Sequence, residues 1–220
     1  MKQIFLAVLL TLGSAQLALA TSTEQVSVSD GITTAVISSL GNSVSYSNAN
    51  FDGWNIVVAG GVSQSPLLSP FGLDTFTLAA TCAGGTACVT HDLTISLSDI
   101  NFTQVPLGGF LETFSGTISS GSASQSGWYS TSNTLFAQTT SIGTLGPLSG
   151  TFGVTTSGGT AGPSAYSLTL VQTITANSQG VSLDGQLRAV PEPASLLLLG
   201  FGLCGAGLLG LARRNDNALT

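Results

Sequence analysis

Hydrophobic and polar residues alternate with a period of two in several short segments of the chain. These segments are residues 26–28, 93–97, 166–170 and 181–183. Successive side chains of a β-strand point to opposite faces, so the alternation predicts half-buried strands. Residues 54–59 and 74–79 are rich in β-branched and aromatic residues, which also favours strands.

Glycine pairs separate the predicted strands and indicate turns or loops. The pairs are residues 60–61, 84–85, 108–109 and 158–159. The Ser- and Gly-rich residues 119–127 predict a mobile loop. No segment before residue 194 has a helical period. Many short strands with one polar face predict an all-β fold, a two-sheet antiparallel β-sandwich, with a closed β-barrel as the alternative.

The N-terminal segment has the three parts of a secretory signal peptide. A lysine precedes an apolar run at residues 4–12, which is too short for a stable membrane anchor. The small residues Ala18 and Ala20 occupy the two positions that a signal peptidase reads. We therefore predict a signal helix at residues 1–20 and cleavage that makes Thr21 the first residue of the mature protein.

A second apolar segment, residues 194–212, contains no charged residue. As an α-helix it would be roughly 28 Å long, close to the thickness of a hydrocarbon core. Pro191 and Pro193 stop a strand arriving from the body and suit a helix start. Arg213 and Arg214 follow the segment, and arginines beside an apolar span stay on the cytoplasmic side. We predict a single C-terminal transmembrane helix, with the body of the protein on the outer side.

The C-terminal residues also resemble a known sorting signal. Val190, Pro191, Glu192 and Pro193 precede the apolar segment, and the arginine pair follows it close to the end of the chain. This arrangement resembles the PEP-CTERM family over residues 190–214. The resemblance implies recognition by an exosortase, a membrane cysteine transpeptidase that cuts near the motif. It also implies delivery of the bacterial protein to the cell surface or to an exopolysaccharide matrix.

The 220 residues therefore divide into four segments around one domain of ordinary size. The segments are a signal peptide at residues 1–20, an extracytoplasmic β-rich domain at 21–189, a sorting and transmembrane segment at 190–214 and a short cytoplasmic tail at 215–220.

The charge balance excludes nucleic acid as a partner. The chain has four Lys and Arg against ten Asp and Glu, and none of the four lies between residues 21 and 187. Phosphate backbones need clustered positive charge, which this body lacks. The same shortage disfavours electrostatic binding to anionic lipid, so the predicted contact with the membrane is the C-terminal helix alone.

Two of the three cysteines, Cys82 and Cys88, bracket a short glycine-containing segment. In an oxidising compartment they are predicted to form a disulfide, with free thiols as the alternative. Cys204 lies inside the apolar C-terminal segment, apart from both. One cysteine pair and the lone His91 are too few soft ligands for zinc. No metal or cofactor is predicted.

Catalytic chemistry finds little support in the sequence. His91 and Asp92 are adjacent on a predicted strand, so they point to opposite faces and do not suit a catalytic triad. Asp92, Asp99 and Glu112 could hydrolyse glycosides, but no spacing singles them out. Asp52 and Asp99 could donate oxygens to calcium, although an aspartate that stabilises its own turn is the alternative. We therefore assign no catalytic residue.

Aromatic residues offer the best candidates for recognition. Trp54, Trp128 and Tyr129 could stack on sugar rings, with a place in the hydrophobic core as the alternative. The sequence favours a non-enzymatic surface or matrix protein, structural or adhesive and associated with exopolysaccharide. A carbohydrate-binding module is the second interpretation, and a glycan-acting hydrolase is the third.

Overall fold

The computed structural model describes residues 23–39, 41, 43–63, 72–162 and 164–190. The elements in these residues are β1 (Gln25–Ser29), β2 (Thr34–Ser38), β3 (Ser43–Phe51), β4 (Trp54–Ser63), β5 (Gly72–Cys82), α1 (Thr86–Thr90), β6 (Leu93–Phe102), β7 (Phe110–Ser130), β8 (Thr140–Gly158), β9 (Tyr166–Ile174) and β10 (Gln179–Ala189). Within this part of the chain no helix has the length and apolar character needed to cross a membrane. The predicted signal helix and transmembrane helix lie outside the described residues.

The strands pair antiparallel throughout and belong to one hydrogen-bonded sheet. Its order is β2-β1-β6-β9-β7-β10-β5-β4-β3, and β8 pairs with β7. Cα atoms of β3, at one end of this order, come within 8 Å of β1 and β2 at the other end. The sheet is therefore nearly closed into a barrel. The all-β prediction is confirmed, whereas the two expected sheets are joined into one.

Strand β7 is the element that joins them. Its first half, residues 110–120, pairs with β10, and its second half, residues 123–130, pairs with β9. Its other edge pairs with β8 along both halves. The register shifts between Ile118 and Ala123, and such an irregularity bends a strand. One half of the sheet therefore contains β10, β5, β4 and β3, and the other contains β9, β6, β1 and β2.

Several local predictions need correction. Residues 119–127 are not a mobile loop, because they lie inside β7 and most of β7 is hydrogen-bonded on both edges. One of their two glycines, Gly121, serves the bend, since its positive φ of 97° is one that other residues rarely adopt. Residues 60–61 are also inside a strand, β4, beside a register shift in its pairing with β3. The short helix α1 has no counterpart in the sequence prediction.

The four segments with alternating polarity all lie in strands, as predicted. Their apolar positions face the interior, which is filled by aromatic and branched side chains. The largest of the fully buried side chains are Trp54, Phe102, Phe110, Phe114 and Tyr166. The rings of Phe102, Phe110, Tyr129 and Tyr166 form one cluster, with centroids 5.7 to 6.5 Å apart.

Close packing between β7 and β10 predicts that alanine substitutions at two glycines of the β7–β8 hairpin differ sharply in their effect on stability. A Cβ atom on Gly116 would collide with the carbonyl oxygen of Ser182 and lie 2.9 Å from Leu183 Cδ2. A Cβ on Gly153, on the paired strand, would meet nothing closer than 3.9 Å. We expect Gly116→Ala to lower the free energy of unfolding by about 1–3 kcal/mol in urea titrations. The matched Gly153→Ala should stay within about 0.5 kcal/mol of the wild type, and equal effects would contradict this packing.

Candidate functional site

The predicted disulfide is confirmed. Cys82 at the end of β5 is bonded to Cys88 in α1, with their Cα atoms 5.4 Å apart and both residues buried. The backbone N–H of Cys88 donates to Asp52 in the β3–β4 turn, and its carbonyl accepts from Asn177 in the β9–β10 turn. The disulfide therefore fastens α1 across two turns at one end of the barrel. A disulfide of this kind fits an oxidising compartment.

The histidine beside the disulfide is hydrogen-bonded to a neighbouring threonine rather than to a carboxylate. His91 is exposed at the end of α1, and its Nδ1 lies 2.8 Å from Thr90 Oγ1. Asp92 Oδ1 accepts a hydrogen bond of 2.9 Å from the backbone of Ala176, which ties it to the β9–β10 turn. Asp92 therefore supports a turn rather than orienting the imidazole of His91.

The suggestion that Trp54 stacks on a glycan is corrected by its position. Its side chain is 0% exposed, packed at the disulfide end of the core. Trp54 is directly opposite Cys82 in the register between β4 and β5. An external sugar cannot reach this ring, so Trp54 is a core residue.

Trp128 and Tyr129 do not form a joint stacking platform either. They are neighbours on β7 and therefore point to opposite faces. Tyr129 packs in the aromatic cluster, 6.0 Å from Phe110 between ring centroids. Trp128 is half-buried on the other face, and its Nε1 donates to Ser126 Oγ at 2.9 Å. Trp128 and Tyr129 are both half-buried, on opposite faces of β7, whereas Trp54 is fully enclosed.

Asp52 and Asp99 cannot bind one calcium ion together. Asp52 lies in the turn just before Trp54, the first residue of β4, whereas Asp99 accepts a hydrogen bond from Ser63, the last residue of β4. Ten strand residues span about 30 Å, so the two carboxyl groups lie at opposite ends of the barrel. Asp52 has a positive φ of 49°, the conformation of a turn aspartate.

The interior holds a polar network that crosses the bend of β7. The amide nitrogen of Gln125 donates to Glu112 Oε1 at 3.1 Å and to the carbonyl oxygen of Thr113 at 2.9 Å. Gln172 Nε2 on β9 donates to Gln125 Oε1 at 2.9 Å. Across the interior, the backbone of Gly185 on β10 leaves space for the two glutamine amides, because a Cβ there would collide with both.

Glu112 occupies the centre of this bend without access to solvent. It is 0% exposed, and its Oε2 has no hydrogen-bond partner. Burial raises the pKa of Glu112, and the Gln125 side chain and the Gly127 backbone oppose the shift. Cβ atoms on Gly127 or Gly143 would lie 3.0 Å from Oε2, so the carboxyl group packs against two bare backbones. No substrate in solution can reach it.

A pair of buried carboxyl groups lies at the barrel end remote from the disulfide. Glu24 just precedes β1, Asp99 lies on β6, and both are 0% exposed. Asp99 Oδ1 accepts from the backbone of Thr23 at 3.1 Å, and Oδ2 accepts from Ser63 Oγ. Burial, followed by the charge of Asp99, raises the pKa of Glu24 from 4.5 to about 8, with a weaker opposing effect from the Ser63 backbone.

Glu24 was missed in the sequence because it follows the predicted signal cleavage site and belongs to no motif. One feature of the sequence could have indicated a buried polar partner for Asp99. Asp99 occupies an apolar position in the alternation of β6, so it had to face the interior and meet a polar partner there. In the described residues no cluster of three or more His, Cys, Asp or Glu side chains could hold a metal ion.

A surface groove of about 400 Å³ adjoins the last described residue. It is lined by residues 107–109 and 157–160, which include four glycines. The backbone N–H of Val190 donates to Gly109 O at 2.9 Å, and a Cβ on Gly108 would lie 2.8 Å from Val190 O. The predicted sorting motif therefore begins beside this groove.

Comparison with protein-family profiles and with curated proteins finds no match for this chain.

The raised pKa of Glu24 predicts a pH dependence of stability. The folded chain keeps this proton up to about pH 8, whereas the unfolded chain releases it near the ordinary value of 4.5. Between these values the folded state binds more protons, so the free energy of unfolding should fall as the pH rises. Urea titrations in EDTA from pH 5 to 8.5 measure this fall.

Glu24→Gln should reduce the fall in the free energy of unfolding with rising pH. Adding Glu112→Gln should reduce it further, because burial raises the pKa of Glu112 as well. Asp52→Asn, a change of an exposed turn residue, is the matched control and should leave the fall unchanged. A wild-type stability that is flat or rises across this pH range would contradict the assignment.

Proposed function

We propose that this chain is an exported bacterial surface or matrix protein, sorted by a C-terminal signal of the PEP-CTERM type. An exosortase-type enzyme processes the protein, and the processed protein associates with exopolysaccharide. Val190, Pro191, Glu192 and Pro193, the apolar segment and Arg213 with Arg214 carry this proposal. The precursor is anchored in the inner membrane by the C-terminal helix, and the processed body reaches the cell surface or the matrix.

The bounds of the fold are the single structural observation that supports this proposal best. Strand β1 begins at Gln25, after the proposed cleavage between Ala20 and Thr21, and β10 ends at Ala189, just before the motif. Removal of both terminal segments would leave every described strand and every strand pairing intact. Val190 emerges beside a surface groove, where a processing enzyme can approach the motif.

A non-enzymatic role for the body is supported by the burial of two of the three candidate hydrolytic carboxyl groups, Asp99 and Glu112, and by the turn contact of the third, Asp92. Glu24, Asp99 and Glu112 are all 0% exposed, so none is placed to act on a substrate from solution.

The carbohydrate-binding alternative is weakened because Trp54 is buried in the core, and Trp128 and Tyr129 lie on opposite faces of β7. A nearly closed, weakly charged β-barrel with a disulfide at one end suits a structural component of a matrix.

The sorting proposal predicts different fates for two tail variants. Replacing Pro191, Glu192 and Pro193 with alanine leaves the apolar segment and both arginines unchanged. This variant should cross the inner membrane and remain in it, uncut, because hydrophobicity and flanking charge determine insertion. Cell fractionation and the intact mass of the protein measure the outcome.

Changing Arg213 and Arg214 to glutamine is the matched comparison. It weakens the retention of the span, so this variant should be held less firmly in the membrane. If the alanine variant instead reaches the surface or the medium at the normal mature mass, the motif is not a processing signal, and the C-terminus is an ordinary anchor.

A further inference from the structure

Glu24 and Asp99 are directly opposed across two antiparallel strands. In the register of β1 with β6, Gln25 is paired with Ser98 and Val26 with Leu97. One step further along the same register, Glu24 faces Asp99, and the bond from Thr23 N to Asp99 Oδ1 confirms the approach. Cβ atoms of such opposed residues lie about 4.5–5.5 Å apart, and like charges there are unfavourable.

Ser63 brings the other half of the sheet to the same place. It ends β4, which belongs to the half with β5 and β10, and its Oγ donates to Asp99 Oδ2. Ser63 is 0% exposed, as are the two carboxyl groups. Three oxygen-bearing side chains from both halves of the sheet therefore converge at one end of the barrel.

No cationic side chain of the described residues faces the carboxyl group of Glu24. Oε1 and Oε2 of Glu24 are both buried, and neither makes a hydrogen bond of normal geometry in the described structure. The backbone of Ser63 opposes the rise in the pKa of Glu24 only weakly. The only cationic side chain in the described residues is Arg188 on β10. Its neighbours Leu187 and Ala189 face the interior, so Arg188 points outward, away from the cluster. A buried, unpaired carboxylate next to a second one is costly unless a cation or a proton neutralises it.

We propose that Glu24, Asp99 and Ser63 Oγ form a calcium-binding site that links the two halves of the sheet. All three side chains offer oxygen only, which hard cations such as calcium prefer. Zinc prefers nitrogen and sulfur ligands, and the cluster has neither. Calcium accepts irregular geometry and completes its coordination with backbone carbonyls and water. A calcium ion between the two carboxyl groups would remove the repulsion between them.

The test uses the mature protein as isolated from the exporting cell, stripped of metal with EDTA and dialysed. Thermal unfolding at pH 8.5 is measured with CaCl2, and with choline chloride at equal ionic strength to control for screening. At a free calcium concentration about fifty times Kd, the midpoint should rise by about 5 °C. Isothermal titration should find one calcium per chain.

Glu24→Gln is the decisive variant because the two side chains have nearly the same shape, and neither carboxyl oxygen of Glu24 makes a hydrogen bond of normal geometry in the described structure. It should fold, unfold with the same midpoint in both salts, and bind calcium at least tenfold more weakly. Asp184→Asn, on β10, is the control and should keep the full calcium response. No calcium-dependent rise in the wild type, or an equal rise in Glu24→Gln, would overturn the proposal. In either case Glu24, Asp99 and Ser63 do not form a calcium site.

Discussion

The hydrogen bonds of the Gln125 side chain hold together the one bend on which the whole barrel depends. Gln125 lies in the second half of β7, and it donates to the Thr113 backbone and the Glu112 carboxyl group in the first half. Because β7 changes partner from β10 to β9 at the bend, this contact joins the two halves of the sheet. Loss of a buried partner here would leave Glu112 without its hydrogen bond, at a cost of about 1–3 kcal/mol.

Charge is kept out of the region around this bend. From residue 113 to residue 183 the chain contains no Asp, Glu, Lys, Arg or His, and this stretch includes most of β7 together with β8 and β9. Ser, Thr and Gly there supply polar faces and close backbone approach without the desolvation penalty of a charge. Three of the buried carboxyl groups, Glu112 and the Glu24–Asp99 pair, lie where the two halves of the sheet meet.

The sequence predicted the features that depend on local pattern. It did not predict the contacts that depend on residues far apart in the chain. Alternation located β1, β6, β9 and β10, and cysteine spacing with an oxidising compartment predicted the disulfide. Composition misled at residues 119–127, because a Ser- and Gly-rich segment suits both a loop and a strand that bends over a bulge. The partners of Glu112 and Asp99 could not be predicted, since they follow from strand register. The sequence alone allowed Trp54 either a place in the hydrophobic core or a place at the surface, and the structure shows that it is buried in the core.

Because β7 pairs with strands of both halves, we expect the two halves of the sheet to unfold as one cooperative unit. Native-state hydrogen exchange tests this expectation most directly. Backbone amides in the first half of β7 and in β10 should exchange with the same free energy and the same denaturant dependence as those in the second half of β7 and in β9. That common value should equal the global free energy of unfolding. Exchange of one half at a distinctly lower free energy, with the other half still protected, would contradict the account.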